Sequence, residues 1–530
     1  MSDHPERHAL RATARRAWSR RVALIIFVAL SACAPKTVAP VTAPPAGARL
    51  SPEEQLRKDL QAIFTDSAVD HAVWSVSVQS LKQGETLYSL NPSRMLTPAS
   101  NQKLITSAVA ADRLGWDYRY TTKIYATGPV SEGGDLDGDL IIVSNGDPTI
   151  NPRHPDRWGA FDAWAKQLYE KGIRRVGGHL IGDDNAFAEP GYGFGWSWDD
   201  LVTGYGAPVG ALQYNENQIE LMIMPGAEAG GRAIISVSPP GGGVLLDHGV
   251  TTVAAGHPSR ITVERIPGST MLKVSGEVAI DSPAITELAA VPNPTVFYLN
   301  ALRDTLERHR IFVGGKTLDI DDERVKPDYS RATLVLEDQS PTLDAVIDVC
   351  LKWSRNEYAE TMLRTLAVAL PTVALAKVGG AEATAEAGLA VVNETLLNWG
   401  VKPELYVARD GSGLSRNDYI APEALIGLLT RIWRDERHRE KFQATLPQSA
   451  TSGTLENRMK DTPAAGRVWA KTGSMSNVRS LSGYLMTLDN EPIVFSIIVN
   501  GFHVPSSRID AAMDEALVRL VKFPRDLHEE

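Results

Sequence analysis

Cysteine is nearly absent: Cys33 and Cys350 are the two in 530 residues, so no framework of disulfides can staple this chain. Long apolar runs are missing as well. Past "VALIIFVAL", Val22–Leu30, no stretch approaches the roughly 20 uninterrupted apolar residues that a membrane-spanning helix needs. None of the eleven histidines falls in a His-Glu-x-x-His pair, which removes the zinc-peptidase signature. "GDLDGDL", Gly134–Leu140, is no calcium loop, because Gly146 stands where the final Glu is needed. "GGKT", Gly314–Thr317, is no phosphate loop, because Arg310 replaces its first glycine. No metal or cofactor is implied. Basic excess is also lacking. The formal net charge is −10 although the first 32 residues carry six arginines against Asp3 and Glu6, so the remainder is more acidic still. Such a chain is poorly suited to bind nucleic acid through its phosphates.

The six arginines precede the short apolar run, which is the pattern of a signal peptide over residues 1–32. "LSAC", Leu30–Cys33, is similar to a bacterial lipobox, in which the cysteine is lipidated and becomes the mature N-terminus. The Pro- and Ala-rich segment 33–50 then reads as an extended tether.

Beyond it the pattern changes twice. Residues 51–117 mix helix and strand: Ser51 caps a helix that Pro52 opens, His71–Ser80 alternates like a strand, and a helix beginning near Ser100 ends before Gly115. Residues 118–330 read as an inserted, mainly β region, with short strand-like runs cut by Gly, Pro and Asp. One amphipathic helix, Pro294–Ile311, is expected to return the chain towards the first part. Residues 331–530 mix again. A helix capped by Ser340 carries a buried Cys350, three antiparallel strands follow from Gly466 to Phe502, and a terminal helix closes the chain.

Three short stretches could carry chemistry. Ser100-x-x-Lys103 puts a hydroxyl and an amine one helical turn apart on one face, where a lysine of depressed pKa can take the serine's proton. Ser354-Arg355-Asn356 falls in a tight turn between two helices. Lys471-Thr472-Gly473 ends an apolar strand, where the glycine leaves room for an extended ligand backbone. Each stretch alone is common. Together and in this order they form the triple of active-site-serine penicillin-recognising enzymes.

The chain resembles the D-alanyl-D-alanine carboxypeptidase/endopeptidase family of class C low-molecular-mass penicillin-binding proteins, type 4. The likeness extends to "SNGDPT" (Ser144–Thr149), "GDDNAF" (Gly182–Phe187), "YGAPVGALQYNEN" (Tyr205–Asn217), "RDGSGLSR" (Arg409–Arg416) and "SGTLENRM" (Ser452–Met459). It implies an α/β multidomain fold. In that fold a serine β-lactamase/transpeptidase-like domain, 51–117 with 331–530, is an antiparallel sheet with helices, interrupted by two smaller, mainly β domains within 118–330.

The resemblance also implies roles. Ser100 attacks the D,D bond of peptidoglycan stem peptides, and Lys103 is its base. Ser354 relays a proton, Asn356 holds the substrate amide and Lys103, and Lys471 provides positive field near the substrate carboxylate. Thr472 and Gly473 border the ligand, and the backbone N–H groups of Ser100 and Ser474 form an oxyanion hole. β-Lactams are implied as covalent inhibitors. The "RDGSGLSR" loop with Asp410 and Ser412 is expected near the cleft as structure. Ala34 and Pro35 after Cys33 imply an outer-membrane lipid anchor facing the periplasm. Two alternatives stand beside this reading: a β-lactamase or esterase of the same fold, and a non-catalytic tethered scaffold that holds peptidoglycan peptides. Oligomeric state stays open.

Overall fold

The strand "PIVFSIIVN", Pro492–Asn500, is apolar on both faces, so it must be covered twice. In the computed structural model, which describes residues 50–525 except 70, 189, 267, 323–326 and 370–383, it lies in the middle of a five-stranded antiparallel sheet. The leader, Cys33 and the tether as far as residue 49 lie outside the described residues. Strand order is Val468–Met475, Val478–Met486, Pro492–Asn500, Val73–Ser80, Thr86–Leu90. The first and last parts of the chain therefore share one sheet, with Trp74 opposite Val499 and Val78 opposite Phe495.

Alternation along Pro492–Asn500 sends Phe495 and Ile497 to one core and Val494 and Ile498 to the other. On the first side lie the helices Pro52–Phe64, with its Ser51–Glu54 capping box, and Ser506–Val521. On the second side is a helical layer of Gln102–Leu114, Leu343–Lys352, Asn356–Ala369, Ala385–Asn398 and Pro422–Arg434. Every residue of Gln102–Ala111 is buried, so this helix is enclosed on all sides.

Between these parts a second five-stranded sheet runs Thr317–Asp319, Leu180–Asp183, Leu140–Ser144, Arg119–Ala126, Thr333–Thr342. Its entry and exit strands are antiparallel neighbours, with Arg119 opposite Thr342. Two further three-stranded sheets share a separate core around Ile219, Leu221, Leu272 and Val274.

Three local expectations are corrected. The inserted region holds a helix that its turn-rich sequence does not predict, Ala160–Glu170, which with the expected helix Pro294–Arg308 covers its larger sheet, burying Trp164, Leu168, Tyr298 and Leu302. The helix Pro294–Arg308 thus stays within this region instead of leading out of it; Thr333–Thr342 makes the exit. Ser340 belongs to that strand and caps nothing. Its hydroxyl accepts from the Tyr120 N–H at 2.9 Å and donates to the Pro341 carbonyl at 2.6 Å, and the helix starts after Thr342.

Candidate active site

Ser100 lies in a single 3₁₀ turn, Ala99–Asn101, that runs directly into Gln102–Leu114. Ala99 holds φ at +47° and Ser354 at +59°. A left-handed conformation costs a non-glycine residue about 1–2 kcal/mol. Both positions are over-determined by their surroundings, and both place a serine at the same cleft.

Lys103 is fully buried one turn beyond Ser100. Its Nζ donates to Ser100 Oγ at 2.9 Å, Asn356 Oδ1 at 2.6 Å and the Ser412 carbonyl at 2.7 Å. Burial lowers its pKa to about 8, against the opposing pull of Cys350, Asp410, Glu360 and Asp418. Lys471 is also fully buried, and its Nζ donates to Ser354 Oγ at 2.9 Å and to the Thr472 carbonyl at 2.8 Å. Burial, reinforced by the charge of Lys103, holds it well below the ordinary lysine range. Two amines thus lie beneath two serine hydroxyls, each shifted towards its neutral form.

The expected residues come together across long sequence distances. Ser100, Ser354, Asn356 and Ser474 line one cleft of about 230 Å³. Lys103 and Lys471 lie behind it, and the Lys471 amine reaches the cleft through Ser354. Thr472 Oγ1 donates to Thr454 Oγ1 at 2.8 Å, bringing in "SGTLENRM". Cys350 is the buried thiol expected, its pKa raised to about 11 by burial.

Gly473 has a reason beside the one its position predicts. A Cβ there would stand 2.1 Å from Ser480 Oγ, 2.7 Å from the Pro98 carbonyl oxygen and 3.1 Å from the Ser100 nitrogen. The space a side chain would need is taken by the protein's own nucleophile turn. Ser480 Oγ donates to Pro98 O, and Asn101 Nδ2 donates to the Lys471 carbonyl, so the strand and the turn are sewn together.

Glu360 and Asp200 were not singled out in the sequence, yet both belong to the site. Glu360 Oε1 accepts the N–H groups of Gly411 and Ser412 at 2.9 and 2.8 Å, which fixes the loop whose carbonyl holds Lys103. Burial, with the charge of Asp410, pushes Glu360 up to about 7, while Arg364 pulls the other way. Asp410 accepts from the N–H groups of Gly413 and Ser415 and from Trp196 Nε1, which holds the turn of the loop together. The inserted region supplies the far wall of the cleft through Asp200 and Tyr205, and the Tyr205 carbonyl accepts from Asn356 Nδ2 at 2.7 Å. The hint available was an Asn356–Glu360–Arg364 row at i, i+4 spacing on one face of its helix.

Among the described residues, carboxylate oxygens of Asp184, Asp319 and Asp321 lie within 4.8 Å of one another. They share no residue with the cleft, and Asp184 and Asp319 are engaged by Thr295 and Asn293.

A nucleophilic hydroxyl bonded to a buried amine of lowered pKa, with a second hydroxyl–lysine pair beside it, is a device for acyl transfer through serine. The fold and this cleft define a serine hydrolase of the penicillin-recognising class. The chain belongs to the D-Ala-D-Ala carboxypeptidase 3 (S13) family, whose model matches residues 56–520. It is 31% identical to the D-alanyl-D-alanine carboxypeptidase of Actinomadura sp. (strain R39), over 98% of this chain and 94% of that protein. It is 24% identical to the D-alanyl-D-alanine carboxypeptidase DacB of Haemophilus influenzae, over 85% of this chain and 89% of the relative. The solved structure of penicillin binding protein 4 (dacB) from Haemophilus influenzae shares the fold, with a TM-score of 0.74 and 23% identity, covering 88% of this chain and all of that one. The chain is thus a serine peptidase, and the non-catalytic scaffold is disfavoured.

Proposed function

We propose that this D,D-peptidase cleaves D-Ala-D-Ala ends or D,D cross-links of peptidoglycan stem peptides through an acyl-enzyme on Ser100. The observation that carries the proposal is the 2.9 Å hydrogen bond between Lys103 Nζ and Ser100 Oγ in a buried setting. With a pKa of about 8, roughly a tenth of the Lys103 amines are neutral at pH 7 and able to accept a proton. Ser100 Oγ bonds to the carbonyl carbon as its proton passes to Lys103. The backbone N–H groups of Ser100 and Ser474 receive the oxyanion; donors of this kind are typically worth about 2.7–4 kcal/mol each. Collapse breaks the C–N bond, and the departing amine takes a proton from Ser354, which recovers one from the lysine pair. Lys471 orients Ser354 for that step. Asn356 holds Lys103 and the substrate amide, and Thr472 and Gly473 border the bound chain. Water then releases the acyl group from Ser100.

The structure of the Haemophilus influenzae protein with a β-lactam bound supports reading β-lactams as covalent inhibitors here. The test is intact-protein mass after brief exposure to a penicillin, followed by peptide mapping. One adduct on Ser100, absent from Ser100→Ala, is the expected result; undiminished labelling of the variant overturns the mechanism.

For location, the proposal is a lipid on Cys33 that anchors the protein to the outer membrane on its periplasmic face. The lipobox-like "LSAC" supports it, and no described helix is long and apolar enough to cross a membrane. Mass spectrometry of the N-terminal peptide from membranes tests it, since an unmodified cysteine would exclude the anchor.

A further inference from the structure

Ser354 sits at a left-handed φ of +59° in the turn between Leu343–Lys352 and Asn356–Ala369. A backbone in that region is kept there by what surrounds it, and the residues on either side of Ser354 are both gripped by the inserted region. On one side, the Arg153 guanidinium carbon lies 5.3 Å from the centre of the Trp353 ring, within cation–π reach. On the other, Arg355 Nη1 lies 3.3 Å from Glu216 Oε2. Arg153 and Glu216 are themselves joined, with Nε donating to Oε1 at 2.6 Å. Trp353, Arg153, Glu216 and Arg355 thus close a ring of contacts around Ser354.

Glu216 is the residue of that ring whose presence is hardest to explain by packing. It is buried, and its two oxygens are divided between two guanidiniums, with Gln218 Nε2 also donating to Oε2 at 2.9 Å. Burial raises its pKa against the opposing pull of Arg153. A carboxylate is costly to bury and is tolerated where charges and hydrogen bonds meet it. The backbone is strained as well: Asn215, Glu216 and Asn217 hold φ at +51°, +57° and +53°. Non-glycine residues enter the left-handed region singly, so three in succession need bracing. The Asn215 N–H donates to the Ile150 carbonyl at 3.0 Å, and Asn217 Nδ2 donates to the Pro208 carbonyl at 2.9 Å. Backbone strain and a buried charge thus coincide at the residue that meets Arg355, at the end of the stretch "YGAPVGALQYNEN".

We infer that Glu216 is a positioning residue for the reaction: through Arg355, and through Arg153 against Trp353, it fixes the turn so that Ser354 Oγ stays on Lys471 Nζ and in the cleft. The inference deepens the D,D-peptidase reading and rests on it, in particular on Ser354 as the donor to the departing amine. Its consequence is selective. Cleaving a D,D amide breaks a C–N bond whose basic nitrogen must take a proton from Ser354 as it leaves. Cleaving a thioester of the same acyl group breaks a C–S bond, and the thiolate, whose thiol has a pKa of about 8.5, leaves without one. Both routes form the same acyl-enzyme on Ser100. Displacing Ser354 therefore slows the amide far more than the thioester, whereas a general loosening of the fold slows both alike.

The test measures kcat/KM of the whole protein on an N-acylated D-Ala-D-Ala peptide and on a thioester carrying the same D-alanyl acyl group. In Glu216→Ala the amide value is expected to fall about tenfold or more and the thioester value by less than about threefold, so the amide-to-thioester ratio drops. Glu216→Gln, which keeps the shape and one acceptor oxygen, gives a milder variant should the alanine protein fail to fold, and Arg355→Met breaks the same tie from the other side; the ratio is expected to drop in both. A ratio unchanged in Glu216→Gln and Arg355→Met, whatever the absolute rates, overturns the inference. A native protein that cleaves neither compound and leaves Ser100 unlabelled by penicillin sinks the peptidase reading and this inference with it. Labelling of Ser100 with an unchanged ratio sinks the inference alone.

Discussion

The sheet that carries Lys471 and the outer sheets of the inserted region are built on opposite terms. Pro492–Asn500 is buried on both faces and lies between two cores. Arg260–Arg265 alternates exposed and half-buried residues along its whole length, with one face in water. The first arrangement pins the middle strand from both sides, and the sheet built on it holds Gly473, on its edge strand, against the Ser100 turn at distances that leave no room for a methyl group. The second tolerates change without disturbing the chemistry. Rigidity is concentrated where two buried amines must meet two hydroxyls within hydrogen-bond reach.

The largest effect is expected from Lys103→Ala. Loss of the base should slow penicillin acylation of Ser100 by about 10³-fold or more, measured by stopped-flow or timed mass spectrometry. Phe495→Ala, in the doubly covered strand, should lower unfolding free energy by about 3–5 kcal/mol in denaturant titration. Val263→Ala in the half-exposed strand should lower it by about 1 kcal/mol or less, and by less than Val499→Ala in the buried strand; equal losses for the two valines would show that the two sheets are not built differently. Glu360→Ala strips two loop N–H groups of their acceptor and should cost about 2–3 kcal/mol, with acylation slowed roughly tenfold as the carbonyl under Lys103 loosens. Glu360→Gln keeps an acceptor oxygen and should recover most of the rate, which a merely space-filling role would not require.

A pH profile should give an effect of about tenfold. The neutral amine of Lys103 is the active form, so acylation should rise with pH through about 8 and level off above it. The stability sign follows from the same shift. Because the folded pKa lies below the ordinary 10.5, the unfolded chain binds more protons between about 8 and 10.5, and the contribution of this group to stability rises with pH across that window. The smallest effect belongs to Thr262→Ala on the exposed face, within about 0.5 kcal/mol and without change in acylation.

The strands and helices nearest the two ends of residues 51–525 were legible because their periodicity is clean: the Ser51 cap, the strands from Val468 to Asn500 and the terminal helix all lie where alternation and capping put them. Ser100, Lys103, Ser354, Asn356 and Lys471 were legible as residue types at fixed short spacings. Glu360 was not. A glutamate on a helix is ordinarily a solvated residue, and its burial depends on a loop fifty residues later. Ser340 misled because Ser-Pro before an apolar run is a capping pattern, while the competing partner, Tyr120, is 220 residues away. Helix content in the inserted region was underestimated because turn residues between short elements look alike whether strands or helices follow.

What the chain spells out locally is chemistry: which side chains can attack, accept a proton or cap a helix within a few residues of one another. Their pKa values and their contacts were set elsewhere. Lys103 becomes a base of pKa about 8 because packing buries it beneath a helix that carries Asn356 and a loop that carries Ser412, and this desolvation outweighs the opposing pull of carboxylates such as Glu360. Desolvation is a property of everything that surrounds a group, and no short window of sequence contains its surroundings.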